Sequence, residues 1–522
     1  MTASRISTVV FCALAVAILH VAIVMPSHPA GLTLARFLQP TWELPAVLLA
    51  VALFPARGLR MLVVVLALAL VVLRVADLGT YAAFSRPFNP LLDMHLLVSG
   101  WGLLASSVGR VEALGYILAI LTALAAVGWL LWISLARIPR IGRAGRGVTV
   151  ALPMVAVLVA VVAPQSAPFA ATPVVAGQIA RMTRGVADLA AFTEALDEAP
   201  TPAPRFAALD GYDVILAFVE SYGRSWLDDP QFAETAVPRL EAVERRLAEA
   251  GWHMRSAWAA APTRGGQSWL SHGTLLSGLW VDSQTRYDRL ITSDRASLNE
   301  LFRRAGWRTG AAMPAITLDW PEAGWFGYDI TLDAEALDYA GKPFEWVTMP
   351  DQYTWTAMDR MLRAPGPDMI EIALVTSHAP WTPLPRIVAW EAVGDGSIFD
   401  GTLRDGGTPR EVWSAPETFR AQYSKSLDYA LEIAGQYIAN DDEDTLFVIL
   451  GDHQPAPLLT GQDAPPDVPV HVISRDPSLL DRLPAAHFSR GMIPTPDAPV
   501  LPMQDIRAIM TTAFEAPTGE TR

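Results

Sequence analysis

The chain has 522 residues, 52% of them hydrophobic, with one cysteine and a formal net charge of −14. That acidity argues against a nucleic-acid binder, which would show a broad basic face, and one cysteine excludes a disulfide framework within the chain. The apolar residues crowd the first third, so one membrane region plus one large domain fits a rule of roughly 100–200 residues per domain.

Residues 7–25 (STVVFCALAVAILHVAIVM) form an uncharged run long enough for a bilayer core of about 30 Å. The lone Cys12 inside it reads as a small apolar residue. Residues 44–56 give a short second span carrying Pro45, 61–73 a third that continues toward Gly79, 115–136 a fourth and 147–164 a fifth. Arg5, the pair Arg57 and Arg60, and the group Arg137, Arg140, Arg143 and Arg146 all fall on one side only if there are five spans. Basic loops stay in the cytoplasm, so the chain beyond the fifth span lies outside. Arg74 and Asp77, three residues apart near the outer end of the third span, are spaced to pair on one helix face, as an intramembrane functional pair or, the favoured reading, as interface anchors. Residues 86–108 suit an amphipathic segment in the outer interface.

These signals divide the chain into a transmembrane region of five helices (1–166), an amphipathic and Pro-rich linker (167–208) and an extracytoplasmic domain (209–522). In the linker, residues 175–197 have helical spacing, and Pro200, Pro202 and Pro204 stiffen the chain after them. The outer domain opens on YDVILAFVES, an apolar β-branched run of the kind that forms a buried parallel strand. MIEIALVTSH (369–378) and TLFVILGDH (445–453) repeat the design, with helical patterns such as 298–306 and 420–439 between them. Alternation of this kind predicts an α/β domain with a mostly parallel sheet flanked by helices.

Ligands bind beyond the carboxyl ends of the strands in such sheets. Three strands here end in reactive side chains: Glu220, His378, and the pair Asp452 and His453. A capping acid, a turn acid or a satisfied polar residue explains each alone, but together they make a ligand set suited to Mn²⁺, Mg²⁺ or Zn²⁺. In RGGQSWLSHGTLLSG (264–278), paired glycines lead to Ser268 at a helix start. That Ser268 is an N-cap or, beside a metal, an activated nucleophile. Ser271 and Thr274 are the nearby alternatives. His272, His487 and Arg264 are further polar candidates, with His487 as an added ligand and Arg264 as a phosphate binder or a solvated loop arginine, whereas His471 in VPVHVIS reads as a strand residue. Trp320, Trp325 and Trp355 line a cleft or fill the core.

FVES, GGQS, TSHAPW and GDH together resemble the alkaline phosphatase and sulfatase superfamily, and within it the membrane-anchored lipoteichoic acid synthase and phosphoglycerol transferase branch. The resemblance implies five N-terminal spans and an outer catalytic domain with one divalent metal, manganese first and magnesium or zinc next. It implies Glu220, Ser268, Asp452 and His453 as metal ligands, Ser268 also as nucleophile, and His378 as the histidine at the substrate. Trp320 matches the branch's substrate tryptophan, whereas Glu322 stands where an arginine is expected, and Ser268 replaces the usual threonine. Phosphoethanolamine transferases are relatives, but their outer domains generally carry disulfides. Sulfatases of the superfamily need a Cys or Ser followed by Pro and Arg at set positions, and Trp-Leu-Ser-His follows Ser268 instead. The expected function is transfer of a phosphoglycerol- or phosphoethanolamine-type group from a membrane phospholipid to a glycan or lipid acceptor through a phosphoserine. The alternatives are a phosphodiesterase or phosphonate hydrolase on the same fold, and an inactive glycan- or lipid-binding membrane protein.

Overall fold

The computed structural model describes residues 3–138, 169–197, 204–400 and 404–515. The chain forms two compact units, Met1–Asp188 and Leu189–Arg522.

The first unit is helical. Arg57–Phe84 and Arg110–Leu135 are long and apolar enough to cross a membrane. They bury Val64, Ala67 and Leu131 while exposing Leu62, Val65, Leu66, Leu118, Leu121 and Trp129. Apolar exposure all around a helix suits a lipid solvent rather than water. Ala3–Val24 is also helical, with the shorter apolar part Val9–Val24. The expected second span becomes Glu43–Leu53, an 11-residue helix. At 1.5 Å per residue that is about 16 Å, short of a bilayer core. His95–Val108 is helical within the expected amphipathic segment. The fifth expected span, Arg140, Arg143, Arg146, Pro200 and Pro202 lie outside the described residues.

Arg74 and Asp77 do not pair with each other. The Arg74 guanidinium donates to the carbonyls of Ile23 (2.8 Å), Ala170 (2.7 Å) and Met25. Asp77 accepts instead from the Phe88 N–H at 3.0 Å. The end of the first helix leaves carbonyls without intrahelical donors, and they take the arginine. Glu43 similarly accepts from the N–H groups of Ala170, Ala171 and Thr172, at the start of the helix Thr172–Leu196.

The second unit is built on a nine-stranded sheet. Its strands are β1 (Asp213–Val219), β2 (His253–Ala260), β3 (Arg308–Ala312), β4 (Ile330–Leu332), β5 (Asp368–Leu374), β6 (Thr445–Gly451), β7 (Asp467–Ser474), β8 (Ser489–Arg490) and β9 (Leu501–Pro502). They lie in the order β8-β2-β7-β6-β1-β5-β3-β4, with β9 beside β2. Strands β6, β1, β5, β3 and β4 are parallel, as the apolar runs predict. Strand β7 is antiparallel to both β6 and β2, and β8 is antiparallel to β2. The sheet is therefore mixed rather than mostly parallel on that side, because a fully buried strand reads as a plain apolar run in either direction.

Side chains alternate across the sheet. Ile215, Ala217 and Val219 enter one core, with Leu240, Trp355 and Leu427 from the helices Pro230–Glu249, Asp351–Leu362 and Pro416–Asn440. Val214, Leu216 and Phe218 enter the other, with Leu270, Phe302 and Ile506 from the helices Ser268–Ser277, Leu298–Ala305 and Asp505–Ala513. Two helical layers thus cover both faces, and every residue of β1 and β6 is buried.

Candidate active site

Register brings the strand ends together. Val219 pairs with Leu374 on one side and with Gly451 on the other, so Glu220 and Asp452 come next at adjacent positions. The Asp452 N–H donates to the Val219 carbonyl, and the Glu220 N–H to that of Leu374. Gly451 is required here: a Cβ at this position would lie 1.9 Å from the Tyr222 carbonyl oxygen. The Gly-Asp-His stretch is therefore a close backbone crossing past Tyr222, followed directly by two polar side chains.

Asp452 is held by two backbone donors on Oδ1, Ser221 N–H at 2.7 Å and His453 N–H at 2.6 Å. Its Oδ2 lies 3.5 Å from His453 Nε2, and Glu220 Oε1 lies 3.5 Å from the same nitrogen. His453 Nδ1 donates to the Gln454 carbonyl at 2.9 Å. That bond fixes the tautomer and leaves Nε2 with its lone pair toward the carboxylates, the usual arrangement behind a metal-binding imidazole. One potential ligand atom each from Glu220, Asp452 and His453 lies within 4.8 Å of the others. Two carboxylates and an imidazole, oriented by other bonds and facing one point, fit a divalent cation of hard-to-borderline character.

Electrostatics point the same way. Burial pushes the Asp452 carboxyl up to about 6, helped by the charge of Glu220. Burial alone would also raise Glu220, but His453, His378 and the Ser221 hydroxyl hold it below its ordinary value. Burial disfavours the His453 cation, yet the charges of Asp452 and Glu220 raise it overall. Among the described residues, no lysine or arginine ion-pairs with Glu220 or Asp452.

Ser268 completes the cluster. Gly265, Gly266 and Gln267 all have positive φ (69°, 133° and 66°), a turn in which only glycine accepts the middle value comfortably. The Gly265 N–H donates to the Gln454 carbonyl at 2.8 Å, tying this turn to the segment that carries His453. Ser268 opens the helix as its first residue. Its Oγ lies 3.3 Å from Glu220 Oε2 and 3.2 Å from His453 Nε2. The N–H groups of Ser268 and Trp269 lack intrahelical acceptors and favour an anion, whereas that of Leu270 donates to the Gln267 carbonyl at 2.9 Å. The two alternatives face elsewhere: Ser271 is fully buried, and Thr274 Oγ1 bonds to the backbone of Val281.

A cleft of about 330 Å³ opens at this edge, lined by Glu220, Ser268, Asp452, His378 and Trp320 and by further aromatic and aliphatic side chains. His378 is exposed on the rim, and its Nδ1 bonds to the Ala379 carbonyl at 2.6 Å. Trp269, also in the lining, is 40% exposed. Arg264 does not line the cleft; it feels the charge of Asp467 instead. Trp355 is core, stacked on Tyr437, and Trp325 donates to the Arg295 carbonyl. His487 bonds to the Pro499 carbonyl, outside the ligand cluster. His471 is buried in β7 between Ser256 and Tyr222.

Sequence reasoning missed three supporting residues. Gln454, fully buried, bonds to Ser225 and Pro465 and anchors the segment after the ligand pair. Asp351 caps the turn before His378 by accepting from the N–H groups of Val375 and Thr376. Glu371 sits below the cleft in β5, and its only sequence signal is an acid inside the apolar run MIEIALV.

No family model matches the chain, and no curated protein matches it. Matches among solved structures include the lipoteichoic acid synthase LtaP from Listeria monocytogenes, 11% identical with a TM-score of 0.39, covering 63% of this chain and 78% of that one. The Streptococcus pyogenes phosphoglycerol transferase GacH, solved with sn-glycerol-1-phosphate, is 11% identical with a TM-score of 0.38, covering 63% and 80%. A phosphonate monoester hydrolase from Silicibacter pomeroyi is 12% identical with a TM-score of 0.34, covering 58% and 73%.

Proposed function

We propose that the chain is a metal-dependent phosphotransferase that moves a phosphoglycerol- or phosphoethanolamine-type group from a membrane phospholipid to a glycan or lipid acceptor. One observation carries this reading: Ser268 Oγ stands within hydrogen-bond reach of both Glu220 and His453, inside a cluster of ligating atoms at the floor of a cleft. A divalent metal held by Glu220, Ser268, Asp452 and His453, with Mn²⁺ preferred over Mg²⁺ or Zn²⁺, would lower the serine pKa and offset charge on the phosphoryl oxygens.

Ser268 Oγ gives its proton to solvent and attacks phosphorus. An Oγ–P bond forms, and the P–O bond to the lipid leaving group breaks. The leaving oxygen takes a proton, for which His378 on the rim is the proposed donor. An acceptor hydroxyl then gives its proton to His378 and attacks the phosphoserine, the Oγ–P bond breaks, and Ser268 Oγ takes a proton from solvent and is restored. The helix start at Ser268 offers N–H groups to the phosphate in both steps. A lipid donor suits a chain whose first unit exposes apolar helices, and the same reading puts the second unit on the extracytoplasmic side of the cytoplasmic membrane.

Turnover of a p-nitrophenyl phosphodiester by the detergent-solubilised full chain tests the reading. Activity that needs a divalent metal and vanishes in Ser268→Ala supports it; undiminished activity in that variant removes Ser268 from the chemistry. Mass spectrometry of envelope lipids and glycans from cells with and without the chain then identifies the acceptor. If only the free phosphomonoester accumulates, water is the acceptor and the enzyme is a phosphodiesterase.

A further inference from the structure

One turn beyond Ser268, on the same face of its helix, stands His272. Both residues line the same cleft, although His272 is only 8% exposed. Its ring stacks on Phe218, with centroids 3.8 Å apart. Its Nδ1 lies 2.6 Å from Glu371 Oε1. Glu371 is fully buried, and its other oxygen accepts from Asn299 Nδ2 at 3.0 Å and from the Tyr328 hydroxyl at 2.6 Å. A carboxylate accepts, so Nδ1 carries the hydrogen and Nε2 of the neutral ring is an acceptor. No hydrogen bond to Nε2 is present among the described residues. An acceptor on a cleft wall can take a donor from a bound group.

The lining limits what that donor is. Among the described residues it contains no lysine or arginine, and its carboxylates are Glu220 and Asp452, already in the ligand cluster. Phe218, Met313, Trp320 and Phe326 supply apolar walls. A cationic head group would lose its hydration there with no free carboxylate in return, whereas a hydroxyl needs a single partner. In an in-line displacement the leaving and incoming oxygens both lie opposite Oγ. The third substituent on phosphorus stays in place through both steps, and the cleft wall one helical turn from the nucleophile is open to it.

We propose that His272, fixed by Glu371, is a specificity-determining residue that accepts a hydrogen bond from a hydroxyl on the substituent retained on phosphorus, and so selects a neutral, hydroxyl-bearing group over a cationic one. This inference rests on the assignment of Ser268 as nucleophile.

Three p-nitrophenyl phosphodiesters that share the leaving group test it, with glyceryl, ethyl or 2-aminoethyl as the retained substituent. The solubilised full chain should favour glyceryl over ethyl in kcat/KM by at least about tenfold, as sites built to bond a hydroxyl do, and should favour 2-aminoethyl least. His272→Asn keeps a donor toward Glu371 but places no polar atom at the Nε2 position, and it should reduce the glyceryl-to-ethyl ratio to near one. His272→Gln, which presents a polar atom at that reach, should restore part of the ratio. Thermal melts identify any variant that is unfolded; the ratio is then read from the remaining one. A ratio unchanged in the folded variants, or a wild-type preference for 2-aminoethyl, overturns the proposal while leaving Ser268 as nucleophile. Turnover of none of the three by the wild type overturns both.

Discussion

The parallel strands of the second unit carry buried acids at both of their ends, and the two ends treat them differently. At the amino end, Arg363 reaches Asp213 at 2.9 Å, Asp441 at 2.6 Å and the Thr445 hydroxyl at 2.8 Å. Arg308 likewise pairs with Asp368 at 2.8 Å. At the carboxyl end, Glu220 and Asp452 meet each other, histidine, serine and backbone N–H groups, with no lysine or arginine paired to either among the described residues. Acids matched by arginine are satisfied within the fold. Acids brought together without a fixed cation leave a negative hollow, and burial makes such a hollow costly until a cation enters. The contrast separates a structural cluster from a chemical one more sharply than residue type does.

The largest break in this comparison is at the nucleophile. Ser268→Ala should reduce kcat/KM for a phosphodiester by on the order of 10³-fold or more while leaving the melting temperature near that of the parent. Next is the amino end: Arg363→Met strands Asp213 and Asp441, and loss of one partner from a buried pair costs about 3–5 kcal/mol. Chemical denaturation should register that loss, and metal binding should be unaffected. Smaller again is the response to metal. Free Mn²⁺ at about 100 times its Kd should stabilise the protein by about 2.7 kcal/mol, an effect that Asp452→Asn abolishes and Asp213→Asn does not. Calorimetry with and without metal separates these outcomes.

Two buried histidines give the smallest effect. Carboxylates raise His453, whereas burial between neutral partners lowers His471 to about 3. A lowered folded-state value means that the unfolded chain binds the proton first. The contribution of His471 is therefore complete above its ordinary value near 6.5 and is lost as pH falls below it, by about 1.4 kcal/mol per unit. Urea unfolding of the parent and of His471→Gln, between about pH 7 and pH 5, should show the slope in the parent and a weaker one in the variant.

Much of the carboxyl end was legible because strand ends are marked twice in a sequence, by the close of an apolar run and by the polar residue after it. Glu220, Asp452 and His453 obey that rule, and parallel register makes the first two adjacent. Ser268 was legible as a helix start behind glycines. Strand direction was not: VPVHVIS has the same apolar character as its parallel neighbours, yet β7 runs the other way. Long-range polar partners were equally hidden, since Glu371 finds its donors on three separate elements. Helical spacing also misled at Arg74 and Asp77, where unpaired carbonyls near a helix end competed for the arginine.

The central claim is that Ser268 carries the phosphoryl group. Acid-quenched protein incubated with p-nitrophenyl glyceryl phosphate and Mn²⁺, digested and analysed by peptide mass spectrometry, tests it directly. The expected result is a glycerophosphoryl adduct on the peptide containing Ser268, absent with chelator and absent in Ser268→Ala. Turnover that proceeds at full rate in Ser268→Ala, with no adduct on the parent peptide, would contradict it.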